Sequence, residues 1–253
     1  MPAEDQVDHR RTKAHRPGFV YLFGRALLGT IARVIYRPRV FGRGNVPTTG
    51  PVILASNHLA FLDSIVIPIL APRRVQFLAK SQYFDGTGIK GTLSRLFFTS
   101  IGAVGIERGA GQAAQQSLDQ GRAILESGNA FAVYPEGTRS KDGRLYKGRT
   151  GVAWLALTTG ARVVPVGLIG TDKLQPPGTR IPRRYRVTVR FGEPLELSRH
   201  GEASSGRARR LATDEIMAAI QKLSGQEEAG VYNEVPVSGL ERIKRAVLRP
   251  ERF

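Results

Sequence analysis

The sequence predicts a single α/β domain in which a mixed, mostly parallel β-sheet is flanked by helices. Short apolar runs that are typical of buried strands alternate with longer helical patterns along the chain. No internal repeat or linker divides it, and 253 residues with 41% hydrophobic content are enough for one well-formed core. We expect this domain to span residues 41–224, between an N-terminal basic segment (1–40) and a basic C-terminal tail (225–253).

The N-terminal segment contains an apolar helical stripe that is interrupted by arginines. Its apolar residues recur mostly at three- and four-residue steps: Phe19, Leu22, Phe23, Ala26, Leu27, Ile31, Val34 and Ile35. The charge-free run 26–32 is far shorter than the roughly 20 residues that span a bilayer, and no spanning segment is evident elsewhere. An amphipathic helix in the membrane interface and a helix packed on the core both fit the stripe. Residues 1–18 lack the apolar region of a secretory signal.

The remaining elements follow in chain order. Strands are predicted at 51–55, 75–79, 102–106, 131–134, 162–169 and 185–191. Helices are predicted at 62–70, 111–127, 150–159 and 206–223, with 94–100 helical or loop-like and a short basic helix near 240–248. Pro165 lies inside the strand at 162–169 and cannot donate to a β-ladder, which predicts an irregular strand end or a sheet edge.

The charge balance indicates a polyanionic partner. The formal net charge is +17, which suits nucleic acid, anionic lipid or phosphorylated ligands. On composition alone nucleic acid would come first, but the basic residues are scattered and are not interleaved with aromatic residues as a binding surface requires. We therefore expect an anionic membrane surface and no nucleic acid. The absence of cysteine excludes disulfides, thiolate nucleophiles and sulfur-ligated metals.

The first candidate cluster follows the strand at 51–55 and contains Asn57, His58 and Asp63. A carboxylate five positions after a histidine can reach back to its ring, fix its tautomer and leave the other ring nitrogen free to accept a proton. The same spacing also fits a histidine that only satisfies nearby carbonyl groups. His200 stands in a polar loop and is interpreted as a solvated surface histidine.

The second cluster, Tyr134–Ser140, follows the strand at 131–134. Gly137 allows backbone N–H groups to approach a ligand, and Arg139 with the Thr138 hydroxyl could hold a phosphate. The alternative is a surface turn in which Glu136 and Arg139 form an ion pair. Arg108 ends a third, glycine-containing strand, where a solvated charge is the simpler interpretation.

Taken in order, these clusters resemble the motifs of the glycerolipid acyltransferase family, the acylglycerol-phosphate acyltransferases of phospholipid synthesis. The resemblance extends from about residue 42 to residue 197. The N-H-x4-D motif matches Asn57-His58 with Asp63, and F-P-E-G-T-R-S matches 134–140 with tyrosine in place of phenylalanine. The strand ending at Arg108, the segment 79–81 and the Val-Pro-Val run at 164–166 look like further motifs of the family.

The resemblance implies transfer of a fatty acyl group from a thioester donor to the free hydroxyl of 1-acylglycerol-3-phosphate, which gives phosphatidate. The implied catalytic residues are His58, as general base, and Asp63. The implied substrate-binding residues are Arg108, Glu136, Gly137, Thr138, Arg139 and Lys80. Acyl-CoA or acyl carrier protein would be the donor, and no cofactor or metal is expected.

The implied location is the cytoplasmic face of a membrane, as a peripheral protein. Glycerol 3-phosphate, another lysophospholipid or a glycolipid remain alternative acceptors. A basic module that binds nucleic acid or membranes remains the alternative from a different class.

Overall fold

The computed structural model describes residues 19–106, 113–179 and 181–233. The helices are α1 (Phe19–Ile35), α2 (Asp63–Leu70), α3 (Gly88–Ser100), α4 (Ala113–Glu126), α5 (Gly151–Thr159), the short α6 (Thr171–Leu174) and α7 (Gly206–Ser224). The strands are β1 (Arg39–Phe41), β2 (Val52–Ser56), β3 (Val75–Lys80), β4 (Ala103–Ile106), β5 (Ala130–Val133), β6 (Arg162–Ile169) and β7 (Thr188–Phe191).

The strands form one sheet in the order β1-β7-β6-β2-β5-β3-β4. Every pair of neighbours is parallel except β6 and β7, which run antiparallel. The predicted mixed, mostly parallel sheet of an α/β domain is therefore confirmed. Strand β2 lies at the centre and is buried along its whole length, as expected for a strand covered on both faces.

Helices cover both faces of the sheet because successive side chains of β2 point in opposite directions. Leu54 packs into the apolar cluster that contains residues of α2 and α3. Its neighbour Ile53 packs into a second cluster with residues of α4, α5 and α7. This two-sided burial fixes the position of β2, and so the point from which the next loop leaves the sheet.

Helix α1 has one face on the domain and one face exposed. Tyr21 is fully buried, and its hydroxyl accepts a hydrogen bond from the backbone N–H of Val75 at 3.2 Å. The guanidinium of Arg25 donates to the backbone oxygen of Ala71. The opposite face leaves large apolar side chains exposed, including Phe19, Phe23, Leu27 and Val34. In the described part of the chain, no helix combines the length and the apolar character that crossing a membrane requires.

Helix α1 ends at Ile35, which is also the last residue of the apolar stripe in the sequence. Arg37 has a positive φ of 45° and Pro38 follows it, so the chain cannot continue as a helix. The next residues form β1, which the sequence did not predict and which pairs with β7. Helix α3 begins at Gly88, six residues before the predicted segment.

Pro165 lies in an internal strand and not at a sheet edge. β6 is flanked by β2 and β7, and Pro165 pairs with Ala55 of β2. Its carbonyl oxygen accepts a hydrogen bond from Gly192 at 2.8 Å, so its ring nitrogen faces the same β7 side. The ladder with β7 is interrupted there, between the pair at Phe191 and the isolated bridge at Leu195. The predicted irregularity is present, and the missing N–H falls at the interruption.

Residues 226–233 belong to the segment that the sequence assigned to the basic C-terminal tail. They lie against the segment that follows β5, and a parallel bridge joins Glu228 to Leu145. The predicted short helix at 240–248 lies outside the described residues.

Candidate active site

Two loops that carry the predicted site residues begin side by side. β2 and β5 are parallel neighbours, and Ala55 pairs with Val133 near the end of both strands. The loops after these strands therefore leave from the same edge of the sheet. In open α/β sheets this carboxyl edge is where ligands bind.

The histidine and the aspartate of the first loop are in direct contact. His58 Nδ1 lies 2.9 Å from Asp63 Oδ2, and the Asp63 side chain is fully buried. The same oxygen accepts hydrogen bonds from the backbone N–H groups of Leu59 at 2.7 Å and Ala60 at 2.8 Å. An ionised carboxylate is only an acceptor, so Nδ1 carries the proton and Nε2 is left as the basic atom. The position of Asp63 in the first turn of α2 further favours its negative charge.

Tyr134 fixes the plane of the imidazole. Its ring stacks on His58 with centroids 3.8 Å apart and an angle of 10° between the planes. Its hydroxyl and the Ser64 hydroxyl are 3.1 Å apart. Desolvation, and then the nearby Asp63 carboxylate, raise the pKa of Tyr134 well above its usual range, so this ring stays neutral. The tyrosine that replaces phenylalanine in the second motif thus gains a polar contact with α2.

Glu136 joins the two loops. Its side chain is 1% exposed. One oxygen accepts a hydrogen bond from the backbone N–H of His58 at 3.0 Å, and the other accepts from Tyr146 at 3.0 Å. Burial raises its pKa to about 7, although both N–H groups favour the ionised form. The sequence predicted contact of Glu136 with substrate; in the structure its buried carboxylate accepts from two backbone amides, and one of them belongs to the loop that carries His58.

The rest of the second loop surrounds a small polar cleft. Gly137 has a φ of 79°, and a Cβ atom there would lie 3.0 Å from Nε of Arg149, so glycine is required. Thr138 and the exposed Arg139 line the cleft together with Leu59 and residues 175–179. Ser140 donates its backbone N–H to the carbonyl oxygen of His58 at 2.7 Å, which brings this cleft next to the imidazole.

The sequence also singled out Lys80, Arg108 and His200. Lys80 is exposed at the end of β3, which is the neighbour of β5, so it lies at the same edge of the sheet one strand further out. Arg108 lies outside the described residues. His200, interpreted from sequence as a solvated surface residue, is instead 19% exposed and bonds through Nε2 to Glu215 at 2.6 Å.

The sequence did not indicate two further residues of this site. Gln175 accepts a hydrogen bond from the backbone N–H of Leu62 at 3.2 Å and lines the polar cleft. Gln226 accepts from the side chain of Asn57 at 2.7 Å. Neither belongs to a local motif, and only folding brings them to the loop. The sequence showed that Tyr134 replaces the phenylalanine of the motif, but it did not show the contact of the Tyr134 hydroxyl with Ser64.

An apolar groove opens between α1 and α2. Its lining includes Ala32 and Tyr36 from α1 or its end, and Leu62, Ile65 and Ile69 from α2 or its start. Leu62 directly precedes Asp63, so one end of the groove lies close to the His58–Asp63 pair. An apolar groove of this kind suits a hydrocarbon chain.

Three comparisons relate this chain to known proteins. The family model described as Acyltransferase matches residues 37–169. The chain is 32% identical over 166 residues to a chloroplastic 1-acyl-sn-glycerol-3-phosphate acyltransferase of Arabidopsis thaliana, a match that covers 65% of this chain and 45% of that protein. It is 31% identical to a 1-acyl-sn-glycerol-3-phosphate acyltransferase of Limnanthes douglasii, over 67% of this chain and 59% of the relative. The chain thus spans about half the length of the curated relatives it matches.

A solved structure shares the fold. It is the crystal structure of the 1-acyl-sn-glycerophosphate acyltransferase from Thermotoga maritima. The TM-score is 0.59 at 23% sequence identity, and the match covers 81% of each chain.

Proposed function

The chain belongs to the acyltransferase family, and on that premise we propose that it transfers a fatty acyl group from a thioester donor to the free hydroxyl of 1-acylglycerol-3-phosphate. The product would be phosphatidate. The proposal depends most on the contact of His58 Nδ1 with the buried Asp63 at 2.9 Å, at the carboxyl edge of the sheet. The relatives, which are 1-acyl-sn-glycerol-3-phosphate acyltransferases, support this acceptor over the alternatives.

In the proposed reaction, His58 Nε2 takes the proton of the acceptor hydroxyl as its oxygen attacks the thioester carbonyl carbon. The Asp63 carboxylate stabilises the imidazolium that forms. The tetrahedral intermediate then loses the thiolate, which takes the proton back from His58 and leaves as the thiol. The ester forms directly, so no acyl-enzyme and no protein thiol is needed.

The acceptor phosphate is assigned to the polar cleft. Arg139 is exposed on the cleft wall, with the Thr138 side chain beside it and Gly137 opening the backbone. A guanidinium binds a phosphate through two parallel hydrogen bonds, which suits a phosphomonoester. Lys80, on the neighbouring strand, and Arg108, from the family resemblance, are assigned to the same anion.

The apolar groove between α1 and α2 is assigned to an acyl chain. It begins beside Leu62, so a chain lying in it would end next to His58. Ala32 contributes only a methyl group to the wall. A larger residue there would shorten the groove and so change the preferred chain length.

An anionic membrane is the proposed partner of the exposed face of α1. Phe19 is 79% exposed and Phe23 is 60% exposed, opposite the buried Tyr21. The adjoining helix α3 adds Ile89 and Leu93, which are also exposed. Exposed apolar side chains on two adjoining helices of a chain of net charge +17 suit the interface of an anionic bilayer, as on a cytoplasmic leaflet.

A panel of reactions tests the proposed activity. The purified chain is incubated with lysophosphatidate, glycerol 3-phosphate, lysophospholipids with larger headgroups and a glycolipid, with acyl-CoA or acyl carrier protein as donor. Products are resolved by mass. We expect phosphatidate from lysophosphatidate. No acylated product with any acceptor, or faster acylation of the non-phosphorylated glycolipid, would contradict the proposal.

Two arginine variants test the phosphate assignment in the same panel. Arg139→Ala should raise KM for phosphorylated acceptors about tenfold or more, because a charge-assisted contact to an anion is lost. Arg162→Ala is the control, since Arg162 is exposed at the start of β6, the opposite end of the sheet from the site. An equal effect of both variants would contradict the assignment.

A matched pair of leucines tests the membrane partner. Leu27 on α1 is 50% exposed and Leu211 on α7 is 45% exposed. Leu27→Glu should lower sedimentation with anionic vesicles, and Leu211→Glu should not. Equal sedimentation of the two variants would exclude α1 as the membrane-binding face.

A further inference from the structure

The segment that follows α7 crosses the loop of the second motif. We call residues 226–233 the strap. Its backbone pairs with the loop residues 145–147: Leu145 donates to Glu227 O at 2.8 Å, and Ala229 donates to Leu145 O at 2.8 Å. Further along, Lys147 donates to Val231 O at 2.9 Å. The strap is therefore added to this loop as a short parallel strand would be.

One side chain of the strap connects both loops of the site. The amide oxygen of Gln226 accepts a hydrogen bond from Asn57 Nδ2 at 2.7 Å. The amide nitrogen of Gln226 donates to the carbonyl oxygen of Gly143 at 2.7 Å. Asn57 directly precedes His58, and Gly143 lies in the loop after β5. A single carboxamide thus joins the loop of the general base to the loop of the phosphate cleft.

The side chain of Asn57 is hydrogen-bonded to β6 on one side and to the strap on the other. Its side chain is fully buried. On the β6 side its amide oxygen accepts from Leu168 N at 2.8 Å, and its amide nitrogen donates to Leu168 O at 2.9 Å. These two bonds attach Asn57 to the sheet. The second hydrogen of the amide nitrogen points to Gln226, which fixes the loop in a different direction.

A second series of hydrogen bonds connects the strap to His58. The strap holds Leu145, and the next residue, Tyr146, donates its N–H to one oxygen of Glu136. The other oxygen of Glu136 accepts the N–H of His58. At its far end the strap donates from the side chain of Asn233 to the carbonyl oxygen of Arg139 at 3.2 Å. Both series of hydrogen bonds end at the backbone around His58 or at the cleft.

We infer that Gln226 is a positioning residue for the proposed acyl transfer, acting on His58 both through Asn57 and through its bond to the loop at Gly143. The inference rests on the proposed function. Replacing its acceptor oxygen would leave a buried Asn57 N–H without a partner, and the loop would shift or admit water. Since the bonds to Leu168 remain, the fold survives and the main loss is in the placement of the base. A displacement of about 1 Å at a reacting group can lower the rate by as much as about 10²-fold.

The test compares three variants of the full chain. Gln226→Met keeps the length of the side chain and removes both polar contacts. Gln226→Glu keeps an oxygen for Asn57, and when protonated it can also donate to Gly143 O. Glu227→Gln is the matched control, because this exposed neighbour contributes its backbone oxygen to the pairing. For each, kcat and KM are measured against pH, together with amide exchange in the peptides 57–63 and 143–147.

We expect Gln226→Met to lower kcat about tenfold at all pH values, with KM within about twofold, and to speed exchange in both peptides. The kcat of Gln226→Glu relative to wild type should be highest at acid pH and fall as the carboxyl ionises, because the ionised form repels Gly143 O. Glu227→Gln should match wild type. If Gln226→Met does not fold, the pH dependence of kcat for Gln226→Glu relative to wild type decides whether Gln226 is a positioning residue.

Unchanged kcat and exchange in Gln226→Met, or a ratio for Gln226→Glu that does not vary with pH, would overturn the inference. Failure of the proposed function would give a result different from either of these two outcomes. In that case the wild type would acylate no acceptor, while the exchange data would still report whether Gln226 holds the loop.

Discussion

The described part of the chain contains two histidine–carboxylate pairs with similar distances and different surroundings. His58 and Asp63 are 2.9 Å apart, and His200 and Glu215 are 2.6 Å apart. The two imidazoles are similarly accessible, at 15% and 19%. The carboxylates differ: Asp63 is fully buried, whereas Glu215 is 24% exposed and also bonds to Arg199. A short contact between a histidine and a carboxylate therefore does not identify a base.

The difference lies in which nitrogen is used and where the pair stands. His58 contacts its carboxylate through Nδ1, so Nε2 is the atom that the proposed reaction uses; the pair lies at the carboxyl ends of the strands, beside a polar cleft and an apolar groove. His200 contacts Glu215 through Nε2, and this bond connects a short 3-10 helix to α7.

The glutamates of the two regions also differ in pKa. Burial raises the pKa of Glu136, which accepts the backbone N–H of His58, to about 7. For Glu215, burial acts in the same direction, but hydrogen bonds from His200 and Arg199 outweigh it and lower its pKa.

The first and largest test removes the proposed base. His58→Ala should lower kcat about 10³-fold, because proton removal from the acceptor hydroxyl is lost. Sedimentation with anionic vesicles should be unchanged, since α1 is not altered. The measurement is product formation by mass, with vesicle binding on the same preparation. Activity within tenfold of wild type would remove His58 from the role of base.

The second test separates the charge of Asp63 from its geometry. In Asp63→Asn the amide oxygen can take the place of Oδ2 and accept from Leu59, Ala60 and His58 Nδ1. The tautomer is then kept while the negative charge that stabilises the imidazolium is lost. We expect kcat to fall about 10²-fold and KM to change little.

Asp63→Ala is the companion variant for this test. It leaves the N–H groups of Leu59 and Ala60 without their buried acceptor and should lower the free energy of unfolding by about 1–3 kcal/mol. Equal kinetics for Asp63→Asn and wild type would show that the charge is not needed.

The sequence predicted the parts of this site that depend on local spacing. Asp63 contacts His58 because the turn that precedes α2 brings these two residues, five positions apart, together. Both loops follow strands that were recognised from their apolar runs. The mostly parallel sheet followed from the same alternation. The burial of Glu136 was not predictable, because it requires the N–H groups of His58 and Tyr146 to converge on it.

Contacts between distant positions gave no signal in the sequence. Gln226 lies 169 positions after Asn57, beyond the residues that the family model matches. The strap looked like the start of a tail because its pairing is made by backbone groups, which any residue carries. The pair of His200 and Glu215 was missed for a related reason, since the short 3-10 helix that presents His200 was not predicted.

The third test uses the opposite pKa shifts of the two glutamates. The folded chain holds the proton on Glu136 up to a pH of about 7, whereas the unfolded chain releases it near 4.5. Between these values the wild type should lose stability relative to Glu136→Gln as pH rises, by up to about 1.4 kcal/mol per pH unit. Unfolding by urea across pH 4–8 measures the difference. The activity of Glu136→Gln should fall about tenfold. The NH₂ of the glutamine would face the backbone N–H of either His58 or Tyr146, and two donors cannot form a hydrogen bond with each other.

Glu215→Gln is the control with the opposite sign. Because the pKa of Glu215 is lowered on folding, its stabilisation is present above the unfolded value of 4.5 and is lost as pH falls through the folded value. Parallel pH dependence in the two variants would contradict the contrast between the two regions.

The smallest effect is expected at the second histidine. His200→Ala removes the bond to Glu215, but Arg199 still reaches the same carboxylate. Because this ion pair is partly exposed, the free energy of unfolding should fall by about 1 kcal/mol or less. The values of kcat and KM should stay within twofold of wild type, since His200 contributes no atom to the loops around His58. A loss of kcat as large as that of His58→Ala would mean that a histidine–carboxylate contact, and not its place at the sheet edge, defines the catalytic pair.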